Sequence, residues 1–183
     1  MRMAVCGTHG VGKSTLVEDV VDARPDFTSV PEPYWLLVED GMAFADGPSS
    51  EDLQTQLERS CALILSAGDG EKVIFDRCPL DFLAYLDVVS ADEGFEWEPT
   101  GKLLSLIDRA LDALDLIIFV PLRQPDDIAV TIEYPQLRSR VDTQLKAIIR
   151  QDELGFVPNK SRVLEVFGTR DERLQKVLAR ISA

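Results

Sequence analysis

The chain has 183 residues, 45% of them hydrophobic and 28% charged, which is enough apolar material for one full core and excludes a disordered chain. Its 19 Lys and Arg face 32 Asp and Glu, a formal net charge of −13, and so acidic a surface excludes nucleic acid as a partner, because phosphate backbones need a basic face. No apolar stretch is long enough to span a membrane, no apolar leader precedes Gly7, and three cysteines (Cys6, Cys61, Cys78) without metal-ligand spacing fit a reducing compartment, so a cytoplasmic protein is expected.

Met3-Ala4-Val5-Cys6 is a short apolar run suited to a buried strand. Gly7-Thr8-His9-Gly10-Val11-Gly12-Lys13-Ser14 follows in the pattern G-x-x-x-x-G-K-S, and Leu16, Val17, Val20 and Val21 then recur at helical spacing. Strand, glycine-rich turn and helix is the setting in which this pattern makes a phosphate-binding loop. Its amides point at phosphate oxygens, and the helix that starts near Gly12 adds the positive end of its dipole. Lys13 reaches the β- and γ-phosphates, and the Ser14 hydroxyl can ligate Mg²⁺. Gly7 to Thr15 is therefore the expected nucleotide-binding segment, with His9 contributing through its backbone N–H rather than its ring.

After a turn at Ala23–Asp26, Phe27 to Val30 reads as a second strand ended by Pro31-Glu32-Pro33, and Tyr34 to Phe44 as a helix. Ser50 is the expected cap of a helix over about 51–67 whose inner face is Leu53, Leu57, Cys61, Ile64 and Leu65. Val73-Ile74-Phe75-Asp76 reads as a buried strand ending in an acid, with Pro79 at the first position of the next helix. A helix over about 102–113 precedes Leu116 to Val120, the most apolar strand, expected at the centre. Pro121 to Asp127 reads as a loop, 128–140 gives no clear pattern, and a helix is expected from Val141 to Glu153. Val163 to Phe167 is the last strand, and Thr169-Arg170-Asp171-Glu172 is a capping box for a final helix that turns Leu174, Val177, Leu178 and Ile181 inward. Five strands alternating with helices predict a parallel sheet covered on both faces, a single α/β domain over 1–183.

Ligands of such sheets bind beyond the carboxyl ends of the strands. Glu32 follows the second strand and is kept extended by Pro33, so its carboxylate can act as a base on a hydroxyl. Asp76 ends the third strand and can hold Mg²⁺ or act as base, and Arg77 offers a planar fork to phosphoryl oxygens. Arg138 and Arg140 stand where a lid could close over ATP, within about 123–142, although two residues apart they would not share a helix face. Gly168 and Thr169, after the last strand, can approach the adenine through their backbone. Trp35, Tyr34 and Phe82 read as core, and either Gln54 or Gln56 can read a base edge.

With these residues in place, the chain resembles the small P-loop kinases, and within them the deoxynucleoside and thymidylate kinase group. The resemblance rests on GTHGVGKST, on Val30-Pro31-Glu32-Pro33-Tyr34-Trp35, and on Val73-Ile74-Phe75-Asp76-Arg77-Cys78, in which Cys78 stands where serine is usual. The stretch from Asp76 to Leu86 also looks like an AAA-type ATP-binding group related to nicotinamide riboside kinases. The resemblance implies a three-layer P-loop NTPase fold and a kinase using ATP and Mg²⁺ to phosphorylate a small-molecule acceptor, nucleoside-like or nucleotide-like. It implies Lys13, Glu32, Asp76, Arg77, Arg138 and Arg140 as catalytic residues, Ser14 and Asp76 as metal ligands, and allows a homodimer. An ATP-binding regulatory module or an ATPase with no small acceptor is the alternative from the residues alone.

Overall fold

Met3, Ala4, Val5 and Cys6 carry no charged or hydroxyl side chain, and all four are completely buried. A strand turns successive side chains to opposite faces. Met3 and Val5 accordingly pack with one apolar cluster, and Ala4 and Cys6 with another, so this strand is the partition between two cores. The computed structural model describes residues 1–123, 133–151, 155–156 and 162–182. The strand, β1 (Arg2–Cys6), lies in the middle of a five-stranded sheet with β2 (Thr28–Val30), β3 (Val73–Asp76), β4 (Leu116–Phe119) and β5 (Val163–Glu165), in the order β2-β3-β1-β4-β5. Every pairing is parallel.

The helices are α1 (Lys13–Ala23), α2 (Pro33–Glu39), α3 (Ser50–Ser66), α4 (Pro79–Asp92), α5 (Gly101–Asp112), α6 (Pro135–Gln151) and α7 (Arg170–Ile181). Leu16, Val17 and Val20 of α1 and Val177 of α7 cover the face of Met3, Val5, Ile74 and Ile118. Residues of α3, α4, α5 and α6 cover the other face, against Ala4, Phe75, Ile117 and Phe119. The result is the three-layer α/β/α arrangement that the alternation of strands and helices predicts. Helix α4 lies deepest, with Leu80, Phe82, Leu83, Ala84 and Leu86 all buried, so the polar residues it also buries, Asp81, Tyr85 and Ser90, must find partners.

Several boundaries differ from the sequence expectations. Helix α2 stops at Glu39 and not Phe44, because Asp40 and Gly41 turn the chain and bond back to Leu36 and Val38. The cap of α3 is Ser49, whose hydroxyl accepts the Asp52 N–H at 3.2 Å, while Ser50 is the first helical residue. The apolar strand β4 lies between β1 and β5, and β1 takes the central place. Helix α6 begins at Pro135 rather than Val141, a position where proline's missing N–H costs nothing. Arg138 and Arg140 therefore stand inside a helix and not in a loop, and residues 124–132 of the expected lid lie outside the described residues. The capping box at Thr169–Glu172 closes as expected: the Thr169 hydroxyl accepts the Glu172 N–H, and the Glu172 carboxylate accepts the Thr169 N–H. Trp35 is not core, since 59% of it is exposed, whereas Phe82 is. Among the described residues no helix is long and apolar enough to cross a membrane.

Leu57 of α3 is fully buried in the larger core. Leu57→Ala is expected to lower the unfolding free energy by about 2–5 kcal/mol, read from the denaturant midpoint at unchanged slope.

Candidate active site

The loop after β1 approaches its neighbours so closely that only glycine fits at its start. Gly7 has φ +152°, and a Cβ there would lie 2.5 Å from the Val120 carbonyl oxygen. Its N–H donates to Asp81 Oδ1 at 2.9 Å, and Asp81 Oδ2 accepts the Cys78 N–H at 3.0 Å. One buried carboxylate therefore joins the loop after β1 to the turn after β3. The next turn of α4 adds Tyr85, whose hydroxyl accepts the His9 N–H at 3.0 Å and meets His9 Nδ1 at 2.7 Å.

The His9 ring is fixed as well. Nε2 lies 2.8 Å from the Glu133 carbonyl, which can only accept, so Nε2 carries the proton and Nδ1 accepts from Tyr85. Burial, against the pull of the Glu133 carbonyl and together with Arg77 and Lys13, lowers the imidazole pKa and favours this neutral form. Both the N–H and the ring of His9 are thus engaged by protein groups, which differs from the expectation that only the N–H acts, and acts on phosphate.

The loop's carbonyls are held from behind by two buried arginines. Arg138 donates from Nε to the His9 carbonyl (2.8 Å) and from Nη2 to the Gly10 carbonyl (3.0 Å). Arg173 of α7 donates to the Val11 carbonyl (2.6 Å) and to the Gly168 carbonyl (2.9 Å). With the carbonyls turned to the arginines, the amides of Val11, Gly12 and Ser14 meet no protein acceptor among the described residues. They face the start of α1, where anions are favoured. Gly168 and Thr169 stand beside the loop through Arg173, and Thr15 is half-buried in the first turn of α1.

Lys13 is buried, with its ammonium 3.0 Å from the Thr8 carbonyl. Burial and the nearby Arg77 lower its pKa to about 8, against the opposing pull of Asp81, Glu32 and Asp76. Ser14 Oγ donates to Asp76 Oδ2 at 2.5 Å, and Asp76 Oδ1 is buried with no hydrogen-bond partner. Two hard oxygen ligands side by side, one with an orphaned lone-pair direction, fit a Mg²⁺ ion.

Glu32 is extended at φ −53°, ψ 135°, as a residue before proline should be, and pairs with Arg77 Nε. Burial raises its carboxyl pKa, but Arg77 and Lys13 outweigh burial and the net shift is downward, so it is ionised at neutral pH. Arg77 has φ +81°, a left-handed conformation that costs a non-glycine residue about 1–2 kcal/mol. Its N–H bonds the Val5 carbonyl, its guanidinium reaches Glu32 and Asp81, and it lies 5.4 Å from the Tyr85 ring centre. Burial opposes its charge, but the surrounding acids and Tyr85 raise its pKa overall. Strain held in place by this many contacts at a strand end is typical of a working site.

The structure therefore brings Lys13, Ser14, Glu32, Asp76, Arg77 and Arg138 to one edge of the sheet. It does not bring Arg140 there. Arg140 is exposed and pairs with Asp92 at 2.7 and 2.8 Å, on the far side of α6 from Arg138. The sequence reading missed Asp81, Tyr85 and Arg173. Asp81 and Tyr85 left a signal, since they stand one turn apart among apolar residues just after Arg77; Arg173 left none, being one arginine on a charged helix.

Residues 2–161 match the sequence profile of the AAA domain. No curated protein matches the sequence. The chain is similar to the structure of NadR protein in complex with NAD and AMP-PNP (TM-score 0.64, 15% identity), covering 100% of this chain and 49% of that one, so it spans about half the length of NadR. It is similar to deoxyadenosine kinase from M. mycoides with bound dATP (TM-score 0.64, 12% identity, 100% of both chains). It is also similar to thymidylate kinase from Candida albicans (TM-score 0.63, 15% identity, 99% of this chain and 90% of that one). At these identities the likeness is one of fold, the P-loop NTPase architecture.

A bound triphosphate would surround the Lys13 ammonium with negative charge and raise its pKa again. Above pH about 8, binding of a triphosphate is therefore expected to take up a proton and to weaken as pH rises. Calorimetry near pH 9 in two buffers of different ionisation heat reads the uptake, which should vanish in Lys13→Met. Asp81→Ala leaves the Gly7 and Cys78 amides and the Arg77 guanidinium without their shared partner. It is expected to destabilise the fold by about 3–5 kcal/mol in denaturant unfolding and to weaken triphosphate binding at least about tenfold.

Proposed function

The chain belongs to the AAA domain family that its residues 2–161 match, and on that premise we propose that it is an ATP-dependent kinase of a small, nucleoside-like or nucleotide-like hydroxyl compound. One observation carries the reading: an ionised Glu32 is held by Arg77 across the ends of β2 and β3, beside Lys13 and the phosphate-binding loop. A protein that only senses a nucleotide needs the loop but has no use for a base and a buried guanidinium at its γ-phosphate end. The fold shared with deoxyadenosine kinase and thymidylate kinase is consistent with this chemistry.

In the proposed reaction the acceptor hydroxyl oxygen bonds to the γ-phosphorus of ATP as the bond to the bridging oxygen of ADP breaks. The hydroxyl proton passes to Glu32, whose carboxylate is ionised and placed at the strand end. Lys13 and the loop amides orient the β- and γ-phosphates, and Arg77 stabilises charge on the moving phosphoryl group. Arg138 acts as a positioning residue: it holds the His9 and Gly10 carbonyls and so aims the loop amides. Ser14 and Asp76 are the residues that would hold Mg²⁺, which would supply positive charge to offset that of the phosphates. Phosphoryl transfer needs little beyond this positioning and charge.

ADP formation against a panel of nucleosides, nucleotides and other small alcohols tests the reading. At least one acceptor should raise turnover above that with water alone. Glu32→Gln and Arg77→Ala should each lower that turnover at least about 100-fold while ATP affinity stays within about threefold. Unchanged turnover in both variants, or stimulation by no acceptor, would sink the kinase reading in favour of an ATP-binding regulator or an ATPase.

A further inference from the structure

We infer that the acceptor carries no phosphate: it is a neutral or positively charged ring-bearing alcohol, selected by an acidic cavity beside Glu32. The inference rests on the kinase reading for the direction of transfer, but its evidence is the cavity itself. A cavity of about 290 Å³ opens between the start of α2, the loop before α3, the first turns of α3 and residues 133–134. It adjoins the reaction site at two points. Tyr34, in its wall, is two residues past Glu32, and Glu133, also in its wall, receives the His9 ring through its carbonyl.

Its lining combines a flat apolar wall with acids. The Tyr34 and Phe44 rings lie 4.6 Å apart at 36° and offer a surface on which a planar ring can stack. Asp46, Asp52 and Glu133 supply three carboxylates, and among the described residues no Lys or Arg lines the cavity. The arginines on adjoining elements are already engaged: Arg59 with Asp40, Arg77 with Glu32, and Arg138 with the loop carbonyls.

Gln56 gives the cavity a means of recognition. It is 8% exposed, and its Nε2 donates to the Asp52 carbonyl at 3.3 Å, leaving Oε1 to accept. Gln54, two residues earlier, is not available in this way, since it accepts from Trp97 Nε1 and donates to Glu58. The structure thus separates the two glutamines that sequence left equivalent. A phosphate monoester is close to doubly charged at neutral pH and is normally held by Arg or Lys forks. Set among three carboxylates with no cation it is repelled, whereas a neutral ring meets no such penalty and a cationic one is attracted.

The test pairs each of several nucleosides with its own monophosphate, and reads acceptor binding by calorimetry and turnover by ADP formation. The expected result is that at least one nucleoside binds and turns over at least about tenfold better than its monophosphate. Gln56→Leu should raise KM for that nucleoside about tenfold with kcat little changed, a split that loss of general stability would not give. The double variant Asp46→Lys/Glu133→Lys should narrow the gap at least about tenfold. Tighter binding of the monophosphates overturns the inference and leaves the kinase reading standing. Nucleoside-selective binding without ADP formation supports the cavity's charge selection and overturns the kinase reading. Absence of binding by every compound overturns the inference.

Discussion

A single buried carboxylate holds the two halves of the site together. Asp81 is completely buried and accepts N–H groups from Gly7 and Cys78. Burial raises its pKa, against the lowering influence of Arg77 and Lys13. A charge so placed is tolerable only when fully paired, and each of its partners is itself positioned by the pairing. The loop that faces phosphate and the strand end that carries Asp76 and Arg77 are therefore set by one side chain. Its residue number puts it on α4, the helix most deeply packed between its neighbours.

Around that carboxylate, the polar groups divide by task. Asp81, Tyr85, Arg138 and Arg173 each bond the backbone of the loop after β1 and fix its shape. Lys13, Ser14, Glu32, Asp76 and Arg77 remain partly unspent, as the lowered pKa of Lys13 and the unpartnered oxygen of Asp76 indicate. A cation held below its ordinary pKa by burial gains most from an incoming anion, so the cost of burying Lys13 becomes affinity for phosphate. The deeper groups keep the loop's amides aimed before any ligand arrives, which is the preorganisation phosphoryl transfer depends on.

Much of the fold was legible because its strands are short apolar runs punctuated by Gly, Pro and acids. The runs at Met3–Cys6, Val73–Asp76 and Leu116–Phe119 became strands, and the box at Thr169–Glu172 opened the last helix. The failures were at boundaries where a local rule was outvoted. Proline at 135 began α6 early, and Ser49 rather than Ser50 capped α3, since either hydroxyl could serve and only the chain direction chooses.

The sequence by itself determined the phosphate-binding loop, the extended Glu32 before Pro33, and the acid and arginine at the end of β3. These depend on neighbours within a few residues: glycine's missing Cβ, proline's restriction of the residue before it, and a strand's end. Only the tertiary structure decided which arginine of Arg138 and Arg140 meets the loop. Two residues apart on a helix, they point about 200° from each other, and which face turns inward depends on how α6 packs against α4. The same holds for Asp81, Tyr85 and Arg173, and for Gln56 over Gln54. Gly7 for Asp81, His9 for Tyr85 and Val11 for Arg173 lie far away in sequence, and so does Trp97, which takes up Gln54 and leaves Gln56 to the cavity. These hydrogen bonds exist only once the fold has brought distant segments together.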